Sequence, residues 1–218
     1  MLTKKYLWLL LFFGIFFIKM PGVCFAQAIK IKNDPKAKKV VFGNSKIKMV
    51  LDYDQKANIS LLVVNGQKVI EGTAGVFSQI KTNGNTYSTL HLSADPFVKV
   101  NNNTISISGI IYGDKELTIH ENWVFTITEA RIKFNMDRTV SKPVIVEKAE
   151  LPVFMFRDTA TWEGAYQDYG GLAWFYLFNK KLDTYGVHSN SSRFWNSKTG
   201  NGLTISVNAP GKQVAMDY

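Results

Sequence analysis

The residues of this chain best suited to hold a ligand lie between Thr161 and Leu177, in the run TWEGAYQDYGGLAWFYL. Trp162, Tyr166, Tyr169, Trp174, Phe175 and Tyr176 surround a Gly170-Gly171 pair and two carboxylates, Glu163 and Asp168. Rings beside carboxylates suit a sugar surface: the rings stack on pyranose faces and the carboxylates take hydroxyls. From Phe154 to Trp195, 12 of 42 residues are Phe, Trp or Tyr, against 13% for the whole chain, so the enrichment is local. His188, Arg193 and Trp195, in VHSNSSRFW, extend the set. The candidate substrate-binding residues are Trp162, Glu163, Tyr166, Asp168, Tyr169, Trp174, His188, Arg193 and Trp195. The competing reading is structural, because large aromatics dominate burial energetics and the same rings could fill a core.

The chemistry beyond binding is thin. Two carboxylates flanking a glycosidic bond can act as acid and base or nucleophile. Closeness of Glu163 and Asp168 in sequence does not establish that separation, and hydrogen bonding to sugar or backbone suits them better. No catalytic residue is assigned. His91, His120 and His188 lie far apart with no second ligand at metal spacing, so no metal site is expected. No serine sits in G-x-S-x-G and no phosphate loop is present. No cofactor is expected.

The chain opens as an export signal. Lys4 and Lys5 precede an apolar run from Leu7 to Ile18, 12 residues long, which is signal length and too short to span a bilayer comfortably. Small residues follow at Ala26 and Ala28. Residues 1–26 are read as a signal peptide and 27–39 as a polar lead-in. Lipid anchoring at Cys24 is disfavoured, because Pro21-Gly22-Val23 makes a poor lipobox. The expected location is periplasmic or secreted. Cys24 is the single cysteine, so the mature protein holds together by core burial and offers no thiol nucleophile.

Three of the 26 Lys and Arg residues lie in the signal, leaving 23 against 17 Asp and Glu, a mature net charge of +6. These cations are scattered, apart from Lys36 to Lys39, so no nucleic-acid partner is expected.

The elements that must position these residues read as strands. Lys46 to Tyr53 alternates. Ile59 to Val64 runs into Asn65-Gly66, the strongest short hairpin signal, and Gln67 to Ile70 returns. Val76 to Lys81, Tyr87 to Leu92, Thr104 to Tyr112, Glu116 to Ile127, Ala130 to Val140 and Val144 to Phe156 follow, the last kinked by Pro152. Leu172 to Phe178, Thr184 to His188 and Leu203 to Val207 complete about a dozen strands joined by Gly, Asn and Asp turns. Residues 161–171 read as an aromatic loop feeding a strand. The pattern predicts an all-β, antiparallel β-sandwich over 40–218. One strand face reads Leu117, Ile119, Glu121, Trp123, Phe125, Ile127, with a charge amid apolar residues. A buried carboxylate needs a partner. A two-residue turn at Thr128-Glu129 puts Met136 opposite Glu121 and Arg138 diagonal to it, within reach.

NISLLVVNGQKV, HENWVFTITEARIKFNMDR, TWEGAYQDYGGLAWFYL and GVHSNSSRFWNSKTGNGL, in this order, resemble the amino-terminal domain of secreted bacterial glycoside hydrolases. In those enzymes a galactose-mutarotase-like supersandwich precedes an (α/α)6 catalytic barrel. The resemblance spans roughly residues 40–207. It implies a non-catalytic sandwich that packs on a carboxy-terminal catalytic domain or helps bind an oligosaccharide or polysaccharide. No terminating signal precedes Tyr218, so the chain reads as the front part of a longer protein. The alternative is a cell-envelope structural or protein-interaction domain without sugar binding. No stable membrane span is expected. Mass spectrometry of the mature protein from envelope or medium is expected to show a start near Gln27 or Ile29; an intact Met1 terminus would exclude export.

Overall fold

The computed structural model describes residues 29–157, 161–169, 172–177, 187–189, 191–210, 212 and 214–216. Residues 1–28, which include the stretch read as an export signal, and the Gly170-Gly171 pair lie outside the described residues. Those described form 17 strands and no helix, and the paired strands are antiparallel, as in a β-sandwich.

Strands β1 (Lys30–Asp34), β2 (Lys39–Gly43), β3 (Ile47–Asp52), β4 (Asn58–Val64) and β5 (Gln67–Thr82) run as a meander, and β6 (Asn85–Ser88) folds back on the end of β5. Strands β7 (Phe97–Asn101), β8 (Thr104–Gly113), β9 (Thr118–Ile127) and β10 (Ile132–Val140) build a second sheet in the order β10-β9-β8-β7. The chain then returns to the first sheet, where β11 (Val146–Phe154) becomes the edge beside β5. A third sheet takes β12 (Gly164–Tyr169) and β13 (Leu172–Leu177) with β15 (Ser191–Asn196) and β16 (Asn201–Ser206), in the order β13-β12-β15-β16. Short strands β14 (Val187–Ser189) and β17 (Val214–Met216) pair with each other.

Local chemistry explains most boundaries. Asn65 and Gly66 have φ of 48° and 83°, the positive pair that a tight hairpin of this twist needs, and they join β4 to β5. Asn83 and Gly84 repeat the arrangement between β5 and β6. Gln67 to Ile70 and Val76 to Lys81 are one 16-residue strand rather than two. Against β4, pairing jumps from Leu61 with Glu71 to Ile59 with Val76. Asn58 stitches the excursion by donating to the Thr73 and Ala74 carbonyls, each at 2.8 Å. Gly75 closes it at φ 64°, where a Cβ would lie 2.0 Å from the Ile59 carbonyl oxygen. Pro152 sits on the edge strand β11, at a break in pairing between Glu150 and Val153, as a residue without an N–H must.

Two expectations change. The polar lead-in is already sheet, because β1 pairs along the whole of β2. The aromatic run is not a loop: Gly164–Tyr169 is an inner strand of the third sheet. Its polar and aromatic residues alternate too irregularly for a period-2 signal, and pairing on both sides overrides that.

The first two sheets meet across an apolar layer. Phe42 lies with its ring centroid 5.0 Å from that of Phe125, and Phe125 stacks on Phe134 at 4.1 Å. Val40, Leu51, Ile59 and Leu62 face Ile105, Ile107, Ile119 and Trp123 in one buried cluster. Glu121, only 1% exposed, lies within it. Its Oε1 accepts from Ser78 Oγ at 2.7 Å, Tyr112 Oη at 2.6 Å and Arg138 Nε at 2.6 Å, and its Oε2 accepts from Trp123 Nε1 at 2.8 Å. Arg138 Nη2 donates to Ser78 Oγ and to the Gln79 carbonyl. Burial first, and then the charge of Glu121, push the Tyr112 hydroxyl far above its ordinary range, so it stays a donor.

The pair forms by a register other than the expected one. Thr128 closes a longer loop through its N–H and the Arg131 carbonyl, 2.9 Å. Arg138 therefore stands directly opposite Glu121, and Met136 opposite Trp123. The shift is by two residues, so every side chain keeps its face. Glu121→Ala leaves the guanidinium unpaired in the core and is expected to cost about 3–5 kcal/mol. Urea unfolding checks this, and the Glu121→Leu/Arg138→Met double variant is expected to recover most of the loss.

Candidate functional site

The third sheet gathers most of the candidate residues. Strand β12 lies between β13 and β15, which fixes its rows. Gly164 lies between Leu177 and Trp195, Ala165 between Tyr176 and Phe194, Tyr166 between Phe175 and Arg193, and Gln167 between Trp174 and Ser192. Beyond β15, Arg193 pairs with Thr204, Phe194 with Leu203 and Trp195 with Gly202.

Alternation along these strands divides them into an inner and an outer face. Ala165, Ser192, Phe194 and Leu203 are buried, and the apolar three join the main core. Arg193, Gly202 and Thr204 are exposed, and Trp195 is half-buried. Tyr166 and Asp168 hold register positions on the outer rows with Arg193. Tyr169 and Trp174 hold positions on the inner rows, with Gln167 and Ser192. His188 stands apart on β14, opposite Ala215, although β14 runs near β12.

Trp162 is not on the open face. It is 2% exposed, edge-on to Phe156 at 5.8 Å between centroids and tilted against Phe194 at 5.9 Å. A ring buried this way has no open face for a sugar, so the expectation for Trp162 gives way to the core reading. The physical reason is position: Trp162 precedes β12 where the third sheet closes on the first two. Its indole N–H meets no acceptor among the described residues.

Two further contacts fasten this sheet. Asn201 Nδ2 donates to the Gln67 side-chain oxygen at 2.6 Å and to the Val64 carbonyl at 3.3 Å. Asn196 Nδ2 donates to the Thr161 carbonyl at 3.3 Å. These ties bind the β15–β16 turn to the β4–β5 hairpin and to the entry of β12.

Glu163 is held at the entry to β12, just before its first paired residue. Its backbone N–H donates to the Trp195 carbonyl at 2.8 Å. Its Oε2 accepts from the Ser197 hydroxyl and from the Ser197 N–H at 3.0 Å. These two bonds, the hydroxyl first, hold the carboxyl below its usual range. Oε1 has no hydrogen bond among the described residues.

Sequence reasoning missed three parts of this face. Gly164 and Gly202 flank Trp195 in both neighbouring strands, so no cross-strand Cβ rises on either side of the indole. Ser197 fixes Glu163. EGAY and TGNGL show these glycines, but their opposition to Trp195 depends on pairing between distant segments. Among the described residues no cluster of His, Cys, Asp or Glu could hold a metal ion, and no helix is long and apolar enough to cross a membrane.

No protein-family model matches the chain, and no curated protein or solved structure does.

Glu163 is expected to titrate below the ordinary carboxylate range in a carbon-detected NMR pH series. Ser197→Ala removes the larger of its two bonds and is expected to raise the pKa. The depressed folded value means this contact stabilises the fold at neutral pH, and the contribution is lost as pH falls through that value.

Proposed function

We propose that the chain is an exported β-sandwich that binds an oligosaccharide or polysaccharide on the outer face of β12, β15 and β16. In this reading it is the non-catalytic front domain of a glycoside hydrolase, packed on a catalytic barrel or helping it hold glycan. One observation carries the proposal: Trp195 stands between two glycines with Arg193 further along the same strand and Glu163 held at its end. Gly202, which is exposed, leaves the backbone low on one side of the half-buried indole, so a flat ring can approach from there. A sugar offers an apolar face to the indole and hydroxyls to a guanidinium and a carboxylate. The basic and apolar leader supports export.

A second reading, protein interaction in the cell envelope, draws on a different surface. Along and beside the edge strand β11, Ile145 is 80% exposed, and Val146, Leu151 and Met155 are also exposed. Clustered apolar side chains on a sheet edge favour contact with another protein surface. The same edge serves the first reading if the surface is a neighbouring catalytic domain.

Two tryptophan variants separate the surface role from the core role. Trp195→Ala is expected to weaken binding in a glycan panel by about tenfold or more with a small change in melting temperature. Trp162→Ala is expected to cost about 3–5 kcal/mol of stability. Wild-type protein that binds no glycan, with Trp195→Ala indistinguishable from it, would overturn the proposal in favour of the envelope reading.

A further inference from the structure

Resting on the glycan reading of this face, we infer that the unit bound at Trp195 carries a carboxylate: a uronic acid residue within the glycan. Arg193 lies two positions from Trp195 on the same side of β15, about 7 Å along the strand. Its side chain is exposed and makes no ion pair among the described residues. Its neighbour across β16 is Thr204, a small hydroxyl residue that leaves the guanidinium uncrowded. A guanidinium fork matches a planar carboxylate with two parallel bonds, a geometry that a neutral sugar hydroxyl cannot return.

The local charge favours the same ligand. Glu163, at the entry to β12, has one oxygen occupied by Ser197, and the Lys198 cation acts on it. Arg193 is an exposed cation on the same side of β15 as Trp195. Asp168 is placed by register diagonal to Arg193, on the strand away from Thr204. Without residues 1–26 the chain keeps 23 Lys and Arg against 17 Asp and Glu, a net charge of +6, so an acidic polymer approaches with favourable long-range attraction. The two-part recognition is then an apolar sugar face on Trp195 and a carboxylate on Arg193.

The test uses the full exported chain with three probes: polygalacturonate, the same polymer with its carboxylates methyl-esterified, and dextran sulfate. Binding is read by affinity electrophoresis and calorimetry at physiological salt, with melting temperatures of each variant. The wild type is expected to bind polygalacturonate at least about tenfold more tightly than the ester, the scale of one charge-assisted hydrogen bond. Arg193→Gln is expected to bind both polymers alike, Arg193→Lys to recover part of the preference, and Trp195→Ala to lose binding to both. Equal binding of acid and ester by the wild type, or an unchanged preference in Arg193→Gln, would overturn the uronate inference and leave the glycan reading standing. Dextran sulfate bound as tightly as polygalacturonate, and unaffected by Trp195→Ala, would overturn it in favour of plain charge attraction. Failure to bind polygalacturonate alongside retained binding of a neutral glycan would also overturn it alone. Failure with all probes and all neutral glycans would remove both readings.

Discussion

The structure depends on the charge buried between its two large sheets. Glu121 on β9 places a carboxylate inside that apolar layer, and Arg138 on β10 is its ion-pair partner. Isolated, either group would meet a solvation cost of several kcal/mol. Here the carboxylate accepts from Ser78, Tyr112, Trp123 and Arg138, and the guanidinium reaches back to Ser78 and the Gln79 carbonyl on β5. The network therefore spans both sheets. Apolar packing alone tolerates sliding, whereas these bonds are satisfied at one register of β9 against β10 and one placement of β5 above them. That is a specificity argument, since an apolar replacement could be as stable or more so.

The third sheet is attached by a different physics. Among the described residues no buried ion pair links it to the rest. Trp162, Phe156 and Phe194 form an aromatic wedge, and Asn196 and Asn201 supply hydrogen bonds at its edges. Rings suit such a junction because each covers a large area with few rotatable bonds. The consequence reaches the surface. Once Ala165, Phe194 and Leu203 are committed to the core, pleating sends Arg193, Trp195 and Thr204 to the other side. The outer face of the candidate site is the obligatory reverse of the inner packing.

The aromatic stretch thus serves two purposes that its composition does not separate. Trp162 fills a junction, while Trp195, outside the densest part of the stretch, stands half-open between glycines. Ring count does not say which ring is buried and which is exposed. Exposure of a ring depends on the row it occupies, and rows are set by partners dozens of residues away.

The amino acids by themselves determined the class of fold, the tight hairpin at Asn65-Gly66 and the inward face from Ile119 to Ile127, because each rests on contacts within a few residues or on a period-2 pattern. They also determined that Glu121 needs a cation and that Arg138 shares its face. Tertiary structure alone decided the rest. The longer loop after Ile127 set the register by two residues, which alternation cannot detect because an even shift conserves the faces. The return of β11 to the first sheet, the merger of two segments into β5 and the pairing of β12 with β15 are long-range choices with no local signal. Trp162 in the core and Trp195 on the face follow from that last pairing. The same residue type in the same stretch has two fates, because burial belongs to a place in the fold and not to a side chain.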